Sequence, residues 1–150
     1  MLAIYCRTSN SKSGKIDYSI DNQIESGIKL AKQLNLDYKV YIDEGISGTI
    51  RERESFMQLM EHVKGKDKKI KITAVYCIDQ SRIERDTDIW RFFSAECINN
   101  KIKFYPNGIE LDLTDLTSKL FADLLSLVNE YYATLTSKKV KLANAKKTSK

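Results

Sequence analysis

The chain has 150 residues, of which 42% are hydrophobic and 30% charged, a balance that is ordinary for one globular domain. Its apolar stretches are far shorter than the ~20 residues that a membrane-spanning helix needs. Its first residues, MLAIYCR, lack the basic region that opens a signal peptide, so we expect a cytoplasmic protein without a membrane segment.

The three cysteines and the single histidine bear on redox state and metal binding. Cys6 and Cys77 fall in predicted strands and Cys97 in a predicted helix, so we expect buried free thiols. No cysteine pair has zinc-ligand spacing, and His62 is the only histidine. Neither a Walker loop nor a dinucleotide-binding glycine pattern is present. The sequence therefore predicts no structural metal and no small-molecule cofactor.

Strands alternate with helices along the chain. Apolar and β-branched residues predict strands at 2–7, 37–43, 70–78 and 102–105, and allow a short extra strand within 106–112. Helical spacing predicts helices at 20–34, at 54–64, from Arg85 or Asp86 onward, and from about Thr114. Asp17 or Ser19 is expected to cap the first helix, and Asn35 to close it.

This alternation predicts a three-layer α/β/α domain with a mainly parallel sheet of four or five strands and a long C-terminal helix. We expect residues 1–112 to form the α/β core and residues 113–150 to form the helical extension. In such sheets the reactive site lies at the carboxyl ends of the strands.

The net charge of +5 is unevenly distributed. Residues 132–150 hold six lysines and no acidic residue, so the rest of the chain carries a net charge of −1. Such a basic end either contacts phosphates or is the solvated end of a helix. The lysines are Lys138, Lys139, Lys141, Lys146, Lys147 and Lys150.

The long helix carries an apolar stripe that its own domain is too small to cover. A helix over 114–142 would run about 40 Å at about 1.5 Å per residue, whereas a compact domain of this length has a radius of gyration of about 15 Å. We expect Leu120, Leu124 and Val128 to meet a partner chain.

Arginines and a serine follow three of the predicted strands. Arg7 and Ser9 follow the first, Arg53 lies beyond the second, and Arg82 and Arg85 follow the third. Guanidinium groups bind two phosphate oxygens at fixed geometry, and a serine hydroxyl is a candidate nucleophile. This convergence predicts phosphoryl chemistry, with Ser9 attacking and the four arginines stabilising the negative charge that develops.

Other chemistries are less well supported by the same segments. No histidine lies near Ser9 to remove its proton, so either Asp79 or the arginine network would have to assist. Cys77 and Arg82 do not have the spacing of a cysteine phosphatase loop. Asp43 and Asp79 satisfy only loosely the pattern of a metal-dependent nuclease, which stays as a weak alternative.

Four motifs in order resemble the catalytic domain of the serine site-specific recombinases, the resolvase/invertase family, over nearly the whole chain. The segment Tyr5-x-Arg7-x-Ser9 resembles the nucleophile motif of that family. The segment YSIDNQ, which ends at Gln23, resembles a motif of the large serine recombinases. The segment DEGISG from Asp43, followed by Arg53, and the pair Arg82 and Arg85 resemble the two remaining motifs.

The resemblance implies a DNA strand-exchange enzyme that needs neither ATP nor a metal. Ser9 would form a 5′-phosphoserine link to double-stranded DNA. Arg7, Arg53, Arg82 and Arg85 would bind the phosphate, with Tyr5, Gln23 and Asp43 in supporting roles. Glu130 matches an acidic position of the long helix through which the family forms homodimers and homotetramers.

The chain departs from the family pattern in ways that affect these expectations. Ser81 stands where the family often has Asp directly before the first arginine, and Tyr131 follows Glu130 where small resolvases often have Arg. Nothing in the sequence resembles the separate DNA-binding region of the family, so we expect the chain to be the catalytic domain of a longer protein. A non-catalytic recombinase-like module for DNA binding or assembly is the second hypothesis.

Overall fold

The computed structural model describes residues 1–8, 19–44, 53–83 and 87–148, with side chains given up to residue 135 except that of Ala133. In these described ranges, four strands and four helices alternate, and a 3₁₀ turn at Gln80–Arg82 follows the third strand. The elements are β1 (Leu2–Arg7), α1 (Ile20–Leu34), β2 (Tyr38–Asp43), α2 (Glu54–Val63), β3 (Ala74–Cys77), α3 (Thr87–Asn99), β4 (Lys103–Pro106) and α4 (Leu116–Thr148).

The described strands form one parallel sheet in the order β2-β1-β3-β4. Leu2, at the start of β1, pairs with Tyr38 on one side and Ala74 on the other. All strands therefore end at the same edge of the sheet. The predicted parallel sheet is confirmed.

Each face of the sheet is buried against helices, as the alternation of side chains along β1 requires. Leu2, Ile4 and Cys6 pack with α1 on one face. Ala3 and Tyr5 pack with α2 and α3 on the other, in a core that includes four contacting aromatic rings. These rings belong to Phe56, Trp90, Phe93 and Phe104. The result is the three-layer α/β/α arrangement that the sequence predicts.

Helix boundaries largely follow the sequence signals. The Ser19 hydroxyl accepts a hydrogen bond from the Asn22 N–H, at 3.1 Å, and so caps α1. Asn35 closes that helix in the left-handed conformation, with φ of 55°. Asp17 and the expected start of the third helix at Arg85 or Asp86 lie outside the described residues.

The third strand is shorter than predicted. It covers Ala74–Cys77 rather than 70–78, because β1 starts only at Leu2 and offers no partner strand before Ala74. The Met1 ammonium group instead donates to Lys71 O and to Thr73 Oγ1. The extra strand allowed within 106–112 is reduced to one antiparallel bridge between Phe104 and Leu111.

The three cysteines are free and buried, as predicted. Burial raises the pKa of the Cys6 thiol to about 12, so this thiol is protonated at neutral pH. None of the helices in the described part of the chain is long and apolar enough to cross a membrane.

Gly27 is the point at which α1 lies closest to the sheet. A Cβ added there would lie 2.5 Å from Ile4 Cγ2 and 2.8 Å from Ile4 Cγ1. Both atoms are close to the main chain of β1, so the neighbour has little room to move.

We predict that Gly27→Ala destabilises the domain by roughly 1–3 kcal/mol, because overpacking outweighs the better helix propensity of alanine. Urea unfolding measures the change, with the exposed Gln33→Ala in the same helix as the control, expected to change stability by about 0.5 kcal/mol at most. A Gly27→Ala protein more stable than the wild type would contradict the tight contact.

Candidate active site

Three arginines converge at the carboxyl edge of the sheet. Arg7 is the last residue of β1, Arg53 directly precedes α2, and Arg82 ends the 3₁₀ turn after β3. All three side chains are buried, and that of Arg53 has no exposed surface. Because a buried cation needs hydrogen-bond acceptors or a counter-charge, the way these groups are held defines the site.

The acceptors are main-chain carbonyls of the 3₁₀ turn and of the residue that follows it. Arg7 donates from Nε to Arg82 O at 3.0 Å and from Nη2 to Ser81 O at 2.8 Å. Arg53 donates from Nη1 to Ile83 O at 2.5 Å and from Nη2 to Arg82 O. The residues from Ser81 to Ile83, which we call the carbonyl turn, therefore bind two guanidinium groups.

Arg82 closes this arrangement from the other side. Its Nη1 donates to Arg7 O at 3.1 Å, and its Nε lies 3.7 Å from a carboxylate oxygen of Asp79. Asp79 also accepts a hydrogen bond from the Ser81 hydroxyl. Neutral carbonyl dipoles satisfy the guanidinium groups without cancelling their charge, while the Asp79 carboxylate offsets part of that of Arg82. The three arginines keep an excess of positive charge, which attracts anions.

The end of β1 is fixed by a side chain from α1. Gln23 has no exposed surface. Its Oε1 accepts from Arg7 N and its Nε2 donates to Arg7 O, each at 3.2 Å. Gln23 thus bonds to the main chain of Arg7 as a neighbouring strand would, and it orients the last residue before the segment that carries Ser9.

Asp43, the last residue of β2, joins the strand edge to α2. Its carboxylate accepts from the main-chain N–H groups of Ser55 and Phe56, each at 3.0 Å, and from the Tyr5 hydroxyl at 2.8 Å. The two N–H groups lie in the first turn of α2, where Arg53 itself makes no side-chain cap. With both oxygens bonded in this way, Asp43 is poorly suited to hold a metal ion, which weakens the nuclease alternative.

Tyr5 links this carboxylate to the arginine cluster. The pKa of the Tyr5 phenol lies well above its ordinary value, mainly because the phenol is buried. Tyr5 is therefore neutral, donates to Asp43 and accepts from Arg53 Nε at 3.2 Å. The guanidinium of Arg53 also lies 5.5 Å from the Tyr5 ring and 4.8 Å from the Phe56 ring, distances at which cation–π attraction contributes.

The structure thus brings together six of the residues predicted for the site: Tyr5, Arg7, Gln23, Asp43, Arg53 and Arg82. Ser9 and Arg85 lie outside the described residues. The last described residue before Ser9 is Thr8, whose N–H donates to Asp43 O at 3.3 Å.

The residues predicted on the long helix are only partly described. Leu120, Leu124 and Val128 are exposed in this single chain, and Glu130 is partly buried. The side chains of Lys138, Lys139, Lys141, Lys146 and Lys147 lie outside the described part.

Sequence reasoning missed two supporting residues. Phe56 stacks on Arg53, and Gln80 donates from Nε2 to Ala122 O in α4 at 2.9 Å. The first had a weak signal, since Phe56 belongs to the apolar face of α2. The second had none, because its partner is a main-chain carbonyl far along the chain.

The model of the family described as "Resolvase, N terminal domain" matches residues 2–150. The chain belongs to this family.

Similar proteins agree with this assignment. The N-terminal catalytic domain of TP901-1 integrase superposes with a TM-score of 0.64 at 28% identity, over 89% of this chain and 97% of that one. A resolvase family site-specific recombinase from Streptococcus pneumoniae shares the fold, with a TM-score of 0.60 at 20% identity over 97% of this chain and 99% of that one.

One curated relative also matches. It comes from Bacillus subtilis (strain 168), is described as "Putative DNA recombinase", and is 39% identical over 85 residues. The match covers 57% of this chain but 16% of the relative, so this chain spans only a small part of that protein's length.

We predict that Asp43→Asn costs roughly 2 kcal/mol of stability. The amide nitrogen of the new side chain cannot accept a hydrogen bond, so either a main-chain N–H of α2 or the Tyr5 hydroxyl loses its acceptor. Tyr5→Phe should cost about 1 kcal/mol, since it removes one hydrogen bond and keeps the ring. Urea unfolding checks both, with the exposed Asp21→Asn as the control. Losses no larger than that of Asp21→Asn would show that Asp43 does not hold α2 and Tyr5 together.

Proposed function

We propose that this chain is the catalytic domain of a serine site-specific recombinase that cleaves and rejoins double-stranded DNA. Ser9 Oγ forms a bond to a backbone phosphorus, and the bond from phosphorus to the 3′ oxygen breaks. The Ser9 hydroxyl gives up its proton and the 3′ oxygen takes one up and leaves as a hydroxyl, so no net proton is gained or lost. The 5′ phosphate stays on Ser9 as a phosphoserine diester. Since DNA is the substrate, we propose the cytoplasm as the compartment.

The observation that carries this proposal is the buried arginine cluster at the end of the strand that leads to Ser9. Arg7 stands two residues before Ser9 and belongs to the cluster through its bonds to the carbonyl turn. One phosphodiester is exchanged for another, so the bond energy is conserved and the reverse reaction rejoins a strand. The reaction we propose therefore needs no ATP, and we assign to the arginines the charge stabilisation that a metal ion could otherwise supply.

The arginines would stabilise the negative charge that grows on the non-bridging oxygens as Ser9 attacks. Loss of one such preorganised donor costs about 3 kcal/mol of transition-state stabilisation in other enzymes. We assign this role to Arg7, Arg53 and Arg82, and by its motif to Arg85.

A phosphate would have to compete with the carbonyls for these guanidinium groups. The described bonds of Arg53 use Nε once and each terminal nitrogen once, which is three of the five N–H donors of a guanidinium. Phosphate oxygens are charged acceptors and bind arginine more strongly than neutral carbonyls do. The cluster is therefore suited to accept a phosphate by exchanging some of its carbonyl bonds.

Tyr5, Gln23 and Asp43 serve as supports in this proposal. Gln23 orients Arg7 through its main chain. Asp43 and Tyr5 orient Arg53, and the Tyr5 phenol stays neutral because burial raises its pKa. Positioning of this kind lowers the entropy cost of reaching the transition state.

We further propose that residues 113–150 form a separate element for assembly and DNA contact, attached to the catalytic core at 1–112. The exposed face of α4 supports a homodimer or homotetramer, because large apolar side chains cover half of the helix circumference. This face includes Leu116, Leu120, Phe121, Leu124, Leu125, Leu127, Val128, Tyr131 and Tyr132.

The lysine-rich end of α4 would contact DNA phosphates. Lys138, Lys139, Lys141, Lys146 and Lys147 lie within the helical span of α4, and Glu130 would lie beside the partner chain. Such phosphate contacts would be sensitive to salt, because binding releases counterions from DNA.

We predict that Ser9→Ala abolishes covalent DNA linkage and leaves folding unchanged. The full-length protein would be incubated with supercoiled plasmids that carry the DNA flanking its gene. Adducts stable to detergent are then counted, and mass spectrometry locates the phosphoserine. Ser11→Ala is the matched control and should form the adduct as the wild type does.

The alternatives give different results in that experiment. An undiminished adduct in Ser9→Ala would move the nucleophile to Ser11 or Ser13. A wild-type protein that binds DNA but never forms an adduct would favour the non-catalytic module.

We predict that Leu124→Glu and Val128→Glu weaken self-association by at least about tenfold each, because a charge buried in an apolar interface costs more than 1.4 kcal/mol. Sedimentation at increasing concentration measures the dimerisation constant, with Gln58→Glu on the exposed side of α2 as the control. A wild type that stays monomeric at high concentration would contradict the interface.

A further inference from the structure

Gln80 connects the arginine cluster to the long helix. It is the first residue of the 3₁₀ turn, two residues before Arg82, and only 4% of its surface is exposed. Its side-chain amide donates from Nε2 to Ala122 O in α4 at 2.9 Å. The small Ala122 side chain is itself buried, which allows the turn to approach the main chain of the helix.

The acceptor lies within a continuous helix. Ala122 is well inside α4, where its carbonyl already accepts from the helix main chain. A carbonyl oxygen has two lone pairs, so it accepts the Gln80 amide as well. This contact fixes the distance between the turn and one particular residue of α4.

The same turn also binds the arginines. The carbonyls of Ser81, Arg82 and Ile83 accept from Arg7 and Arg53. A shift of the turn by a fraction of an ångström would change each of these bonds, because hydrogen-bond strength depends steeply on distance and angle. The location of the turn relative to α4 therefore affects where both guanidinium groups lie.

A second contact holds α4 to the core at a different point. Trp90 Nε1 in α3 donates to Asp123 Oδ1 at 2.9 Å, and Asp123 also pairs with Lys119. Because this contact is made by α3 and not by the turn, α4 can stay docked when the Gln80 contact is lost. The two effects can thus be separated by experiment.

We propose that Gln80 is a positioning residue for strand cleavage: by bonding to Ala122 O, it sets the carbonyl turn, and through it Arg7 and Arg53, relative to α4. This inference rests on the proposed function. It makes the arginine cluster sensitive to the position of the helix that carries the exposed apolar face, since a partner that moves α4 also moves the acceptor of Gln80.

The test compares Gln80→Met with wild type in the full-length protein. Methionine matches glutamine in length but cannot donate to Ala122 O. The rate of adduct formation at saturating DNA should fall about tenfold, as expected for misplaced catalytic groups. The DNA concentration at half-saturation should not change. Gln58→Met on exposed α2 is the matched control and should keep the wild-type rate.

Two further measurements separate positioning from a loss of structure. Emission of Trp90, measured on the 150-residue chain in which it is the single tryptophan, reports whether α4 remains docked and should match that of the wild type. Gln80→Asn keeps the amide but is one methylene shorter, so it should lose the contact and show the same fall in rate. It serves as the deciding variant if Gln80→Met does not fold.

The outcomes distinguish this inference from the proposed function. A wild-type protein that forms no adduct overturns both. A wild-type adduct with an unchanged rate in the folded Gln80 variants overturns the positioning role alone. A fall in rate that comes with weaker DNA binding or altered Trp90 emission also overturns it, because the residue would then act on the fold as a whole.

Discussion

The arrangement of the strand ends depends on hydrogen-bond acceptors for the buried guanidinium groups. Arg7 and Arg53 are removed from solvent, and a buried cation without acceptors would cost several kcal/mol. The carbonyl turn supplies the acceptors because a 3₁₀ turn at the end of β3 directs successive main-chain oxygens toward the neighbouring strand end. The same bonds therefore hold residues 81–83 in place and satisfy the guanidinium groups without neutralising them.

Three elements of the fold each contribute a supporting side chain to this arrangement. Gln23 reaches it from α1, Asp43 from the end of β2, and Tyr5 from the middle of β1. Asp43 also orders the start of α2, which positions Arg53. The site thus lies where these elements meet, and the packing of the helices on the sheet determines where the charged groups lie. A change in the packing of any of these elements should therefore move the arginine side chains. A change in the position of α4 should do so through Gln80.

The sequence predicted the elements well because burial leaves a periodic pattern, and Ser19 and Asn35 mark the ends of α1 by local hydrogen bonding. It overestimated β3, since the length of a strand is decided by its neighbour and β1 begins at Leu2. The gathering of arginines followed from strand ends in a parallel sheet. The hydrogen bonds that bury these arginines against main-chain carbonyls could not be predicted, because every residue has a main-chain carbonyl whatever its type. Gln80 was missed for the same reason.

We propose that this cluster binds the phosphate that Ser9 attacks. The most direct measurement is a crystal structure of the full-length Ser9→Ala protein with double-stranded DNA that carries its recombination site. We expect a backbone phosphate with non-bridging oxygens about 3 Å from guanidinium nitrogens of Arg7, Arg53 or Arg82. These groups should then make fewer bonds to the carbonyl turn. A bound DNA whose phosphates contact none of the three, while the carbonyl bonds stay intact, would contradict it.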